Sequence, residues 1–212
     1  ADRLIRAAKV IAYPTLAGAH SFARSIAAGS IAEGATEIVM DVPMTVARQP
    51  AQDAYDAGAA QIEDALRSGL DVVCLCEGDP FFYGSFMYLY ARLSGEFTCQ
   101  VVPGVTSMTA SAAMTGMPLA ARNEVLTVIP GPLEEAALEA RIAGSDSLVI
   151  MKVGRHLPKI RAVIERLGLL DQATYIERAT LPAQVTLPLA QAPEKAPYFS
   201  MILITKGADP WL

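Results

Sequence analysis

Residues 71–85 read DVVCLCEGDPFFYGS, and the fold class turns on this stretch. Residues 71–76 predict a strand buried on both faces, because Val72 through Cys76 leave no polar side. The run ends in Gly78-Asp79-Pro80, a sharp turn, and Asp79 followed by Pro80 also suits a helix start. A buried strand that empties into a glycine-bearing turn is the repeating unit of an open α/β sheet. Such sheets bind ligands at the carboxyl ends of their strands. A ligand over this turn would meet bare backbone at Gly78 and one carboxylate at Asp79. The same residues also make an ordinary strand-to-helix turn, so both readings stand at this point.

The same grammar recurs on either side. Residues 101–119 read VVPGVTSMTASAAMTGMPL. A strand over 99–102 ends at Pro103-Gly104, and a small-residue helix runs over 105–114. Thr106 or Ser107 can cap it, and Gly116 stops it. Upstream, Leu4, Ile5 and Ala8 suggest a short helix, and Val10-Ile11-Ala12-Tyr13 is an apolar run. A helix is expected over 21–28 and a strand over 37–40. Tyr55, Ala59, Ile62, Leu66 and Leu70 recur at helical spacing, with Asp53 as the expected N-cap and a stop near Gly69. This alternation predicts parallel strands joined by helices.

Beyond a connector at 117–123 the rhythm changes. Strands are expected over 125–129, 147–152, 173–177, 184–188 and 198–205, with helices over 133–142 and 158–167. Pro158 suits a first helical residue. The expectation is two α/β domains with a ligand cleft between them, 1–120 and 121–212. No internal repeat or low-complexity tract is seen. The chain opens on a helix, whereas a doubly wound domain usually opens on a strand.

Composition narrows the function. Of the 212 residues, 52% are apolar and 18% charged, which suits a sizeable core and argues against disorder. A net charge of −5 argues against a general nucleic-acid partner. No run of about 18 uncharged apolar residues appears, so no membrane span is expected. Asp2, Arg3, Arg6 and Lys9 do not suit a signal peptide. Three cysteines suit the cytoplasm better than a disulfide scaffold. Neither G-x-G-x-x-G, Walker A nor G-x-S-x-G occurs. His20 and His156 lack partner motifs, and Cys74 and Cys76 lack two further zinc donors, so no metal is expected.

The combination of Gly78-Asp79-Pro80 and Tyr83-Gly84 with PGVTS (103–107) and GMPL (116–119) resembles the S-adenosylmethionine-dependent tetrapyrrole methylases. Longer strings are similar to the branch that methylates C20 of precorrin-2. These are Ala12-Tyr13-Pro14, SFARSI (21–26), IVMDVPM (38–44), CEGDPFFYGSFMYLYARL (76–93) and IMKVGRHLPKIR (150–161). The resemblance covers essentially the whole chain. Members normally begin with a strand and a GxGPGDP-type loop. The resemblance here starts just after it, in ADRLIRAAKVIAY (1–13), so a first strand is expected to be missing.

The resemblance implies S-adenosylmethionine as the methyl donor, held by Glu77, Gly78, Asp79, Phe82, Thr106, Ser107, Met151 and Ala179. It implies a tetrapyrrole substrate, precorrin-2 or its cobalt-containing counterpart cobalt-factor II, and a homodimer. A non-catalytic cofactor-binding relative is the alternative from another class. Asp79 is the carboxylate placed to assist the proton that leaves C20, or only to position ligand and turn. The polycarboxylated substrate calls for local basic groups. Arg24, Arg48, Arg122, Arg155 and Arg178 lie near strand ends, and Arg24, Arg122 and Arg155 are the chosen candidates.

Overall fold

A computed structural model describes residues 1–16, 19–43 and 47–207. Contacts divide the chain into two compact units, Ala1–Val105 and Thr106–Leu212. This division groups the helix after Val105 with the second unit, whereas the sequence reading grouped it with the first.

The first unit runs α1 (Asp2–Ala7), β1 (Val10–Thr15), α2 (Phe22–Ala27), β2 (Thr36–Asp41), α3 (Gln49–Arg67), β3 (Val72–Cys74) and α4 (Phe86–Leu93). Its sheet has the order β2-β1-β3, with all pairs parallel. The apolar run that opens β1 is explained by this central place, since alternate residues serve opposite faces. Val10 and Ala12 pack with Ile38 and Met40 against Tyr55, Ala59 and Ile62 of α3 and Leu89 and Leu93 of α4. Ile11 and Tyr13 pack on the other side against Ala23 and Ala27 of α2. Gly58 lets α3 sit close to the sheet, for a Cβ there would fall 2.4 Å from Met40 Cγ.

Three expectations need correction here. Asp53 does not cap α3. The helix starts at Gln49 with a proline in its first turn, and Asp53 lies inside it, accepting from Gln49 Nε2 at 2.8 Å. Proline's fixed φ favours that earlier start. The strand expected over 71–76 is three residues long and half-buried, because among the described residues β3 pairs only with β1, at the sheet edge. Residues 99–102 are apolar enough for a strand, yet they join no ladder among the described residues. Apolar character is local, whereas a ladder needs a neighbour.

Arg24 of α2 forks onto Glu37 of β2, with Nε to Oε2 at 2.7 Å and Nη2 to Oε1 at 2.8 Å, and the Tyr13 phenol donates to the same carboxylate. The Arg24 guanidinium, and then the phenol, hold the Glu37 carboxyl down at about 2. A depressed carboxylate stabilises the fold above its ordinary 4.5, and that stabilisation is lost as pH falls toward 2. Glu37→Gln is therefore expected to melt below the parent at pH 6, with the gap closing between about pH 4.5 and pH 2. Thermal melts across that range check this, and a gap independent of pH refutes it.

The second unit runs α5 (Ser107–Thr115), β4 (Leu126–Pro130), α6 (Glu135–Ala143), β5 (Ser147–Met151), α7 (Leu157–Arg166), β6 (Ala173–Glu177), β7 (Val185–Pro188) and β8 (Ser200–Thr205). Its sheet has the order β4-β5-β8-β6-β7. β4 and β5 are parallel, and β8 runs antiparallel to both β5 and β6. Ile150, Tyr175, Ile202 and Ile204 meet Leu138 and Ile142 of α6 and Ile160 and Ile164 of α7 in one core. Thr106 caps α5 by accepting from Thr109 N, and Gly116 ends the helix in a left-handed conformation. Both units are thus α/β, as expected.

Candidate functional site

In the first unit the two glycine-bearing segments meet. Gly78 follows β3 with φ +67°, a conformation that favours glycine. Asp79 comes next, and both its oxygens are occupied. Oδ1 accepts from Phe81 N and Oδ2 from Gly104 N, each at 3.0 Å. The carboxylate thereby ties the turn at 78–80 to the loop at 103–104. The Gly104 amide, then that of Phe81, holds the Asp79 carboxyl below its ordinary range. The approach is close, since a Cβ on Gly104 would lie 2.1 Å from the Gly78 carbonyl oxygen. Glu77 and Phe82 are half-buried beside this junction, and Phe82 meets Tyr83 edge-on.

In the second unit the candidate residues Met151 and Ala179 lie where β5 and β6 end. Met151, 7% exposed, closes β5 and accepts from Gly131 N at 2.7 Å through its carbonyl. Gly131 follows β4, and a Cβ there would fall 2.9 Å from Lys152 O. Ala179 follows β6 between Arg178 and Thr180, and the Thr180 amide donates to Gln184 Oε1 at 2.8 Å. The Thr106 hydroxyl is engaged as the α5 cap, while Ser107 is exposed on the first residue of that helix.

Backbone strain falls on the same places. Among the described residues, five non-glycine residues have left-handed φ: Tyr83, Arg122, Lys152, Arg178 and Thr180. Tyr83 adjoins Phe82, Lys152 adjoins Met151, and Arg178 and Thr180 flank Ala179. Arg122 is itself a candidate. Such conformations persist where surrounding structure enforces them, and they cluster at binding sites.

The basic candidates differ. Arg24 is committed to Glu37 within the first unit. Arg122 and Arg155 are exposed, Arg155 on the turn that follows β5. Sequence reasoning overlooked Gly131, although Pro130-Gly131 after a strand repeats the signal noticed at Pro103-Gly104. It noticed the acid–base pair Glu177-Arg178 at a strand end but overlooked Tyr175 and Ser200, which are buried and carry no local motif. Burial pushes the Cys74 thiol up to about 12, as suits a core residue. Among the described residues no His, Cys, Asp and Glu side chains gather in a metal-binding group. None of the described helices is long and apolar enough to cross a membrane.

The family model for tetrapyrrole (corrin/porphyrin) methylases matches residues 1–193. A precorrin-2 C(20)-methyltransferase from Sinorhizobium sp is 38% identical over 211 residues, covering 95% of this chain and 86% of that one. A cobalt-precorrin-2 C(20)-methyltransferase from Salmonella typhimurium is 31% identical over 192 residues, covering 89% and 81%. Among solved structures, the uroporphyrin-III C-methyl transferase from Thermus thermophilus, complexed with S-adenyl homocysteine, superposes with a TM-score of 0.61. It is 22% identical, and the match covers 95% of this chain and 88% of that one.

Proposed function

The chain belongs to the tetrapyrrole (corrin/porphyrin) methylases, and on that footing we propose that it transfers a methyl group from S-adenosylmethionine to C20 of precorrin-2 in cobalamin biosynthesis. The observation that carries this reading is the likeness to the Sinorhizobium enzyme over nearly the whole length of both chains. The likeness to the Salmonella enzyme supports the cobalt-loaded counterpart as the second substrate to assay. A cytoplasmic homodimer accompanies the reading, as the resemblance implies.

The residues present fit the cofactor. In the first unit Gly78 offers exposed backbone, Glu77 a polar group and Phe82 partly exposed apolar surface; in the second, Ser107 offers an exposed hydroxyl. Ala179 adds a small side chain between two strained residues. When bound, S-adenosylmethionine supplies a methyl group already activated on a sulfonium. The protein's task is then to orient the partners and exclude water. Arg122 and Arg155 are the exposed cations assigned to the substrate carboxylates.

Asp79 is assigned a positioning role. With both oxygens on backbone amides and its carboxyl held low, it is a poor proton acceptor near neutral pH. Titration calorimetry with S-adenosylhomocysteine tests the cofactor reading and this role together. The parent is expected to bind one equivalent, and no binding overturns the reading. Asp79→Asn sets an amide against one backbone donor and is expected to weaken binding about tenfold. The shape of its pH–rate profile should stay unchanged. Full affinity with turnover lost would instead make Asp79 the base. Mapping the product methyl, with metal-free and cobalt-loaded substrate, tests position and substrate.

A further inference from the structure

Residues 178–184 join β6 to its antiparallel neighbour β7, where Glu177 already faces Val185 in the ladder. A hairpin between adjacent strands needs only about two to five connecting residues. The longer connection carries Ala179, and its backbone is strained on both sides of that residue. Arg178 has φ +50° and Thr180 has φ +69°. A β-branched residue in the left-handed region is a true outlier, and it persists only where its surroundings enforce it.

Hydrogen bonds within the second unit supply that constraint. The Arg178 amide donates to Phe199 O, just before β8, at 2.9 Å. Leu181 N donates to Arg178 O at 3.0 Å, and Gln184 N to Leu181 O at 2.9 Å, which folds the connection into two successive turns. These contacts are all between backbone groups, and none of them holds the Thr180 amide. A side chain does that instead, for Thr180 N donates to Gln184 Oε1 at 2.8 Å. The other end of the same amide group is also engaged, since Gln184 Nε2 donates to Thr186 Oγ1 on β7 at 3.4 Å. A backbone N–H needs an acceptor, so the Gln184 amide must turn its oxygen to Thr180 and its nitrogen to Thr186. The amides on either side of Ala179 are thus held, while among the described residues no protein group pairs with the Ala179 amide itself.

We propose that Gln184 is a positioning residue. Its side-chain carbonyl holds Thr180 in the left-handed conformation and so sets Ala179 for the adenosine end of S-adenosylmethionine. This rests on the cofactor reading above. In this role Gln184 acts through the backbone and touches neither the cofactor nor the reacting atoms.

Gln184→Ala removes the acceptor from a residue outside any helix or strand, so the far-UV circular dichroism should stay unchanged. Affinity for S-adenosylhomocysteine is expected to fall about fivefold to tenfold. The KM for S-adenosylmethionine should rise by a similar factor. The kcat at saturating cofactor and the KM for precorrin-2 should stay at the parent values. Gln184→Glu keeps an oxygen for the Thr180 amide, and the Thr186 hydroxyl can donate to its second oxygen. That variant is expected to bind within about twofold of the parent. A Gln184→Ala that binds within about twofold of the parent overturns the proposal, and so does a Gln184→Glu that binds no better than Gln184→Ala. Should Gln184→Ala not fold, Gln184→Met keeps the side-chain length without the carbonyl and carries the same expectation. Failure of the parent itself to bind overturns the cofactor reading instead, which separates the two outcomes.

Discussion

Gly104→Ala is expected to weaken S-adenosylhomocysteine binding by about a hundredfold while leaving the far-UV circular dichroism unchanged. The added methyl would sit 2.1 Å from the Gly78 carbonyl oxygen and 2.9 Å from its carbon. Both are backbone atoms, so no side chain can swing away. The loop must retreat, and that breaks the 3.0 Å bond from Gly104 N to Asp79. The turn at 78–80 then loses the contact that holds it. Gly104 itself is exposed and outside any helix or strand, which is why the damage stays local. Calorimetry and circular dichroism on one preparation check both halves. Binding within about twofold of the parent would show that the close approach is incidental to the site.

Ile150→Ala is expected to destabilise the second unit by roughly 2–5 kcal/mol. Ile150 is fully buried on β5, opposite Ile129 of β4 and Ile202 of β8. The core formed with α6 and α7 lies over it. Removing three carbons there loses transfer free energy and leaves a cavity that a close-packed sheet cannot collapse to fill. Val185→Ala is the matched control. Val185 lies on the edge strand β7, is 38% exposed, and should cost no more than about 0.5 kcal/mol. Urea unfolding should show a lower midpoint for Ile150→Ala with the slope kept. Equal midpoints for the two variants would remove this core from the account of stability.

Much of this molecule is written in short-range pattern. The strand Ala173–Glu177 falls where its apolar residues place it, and α5 begins on Thr106 and ends at Gly116 as capping chemistry requires. The glycine-bearing turns at Gly78 and Gly104 and the family motifs are contiguous strings, so they too can be read without a fold. Helix periodicity, caps and turns involve residues within a few positions of one another, and one sequence carries that information directly. Long-range partnership is different. Nothing near residues 99–102 says that they join no ladder among the described residues, and nothing near Arg24 says that Glu37 absorbs its charge. Asp79 looks like an available base until Gly104, distant in sequence, is found on its second oxygen. Glu177 faces Ser200 across a ladder only because β6 and β8 are adjacent in the sheet. Register, burial and the occupancy of hydrogen-bonding groups depend on which segments come together, and only packing in three dimensions settles that.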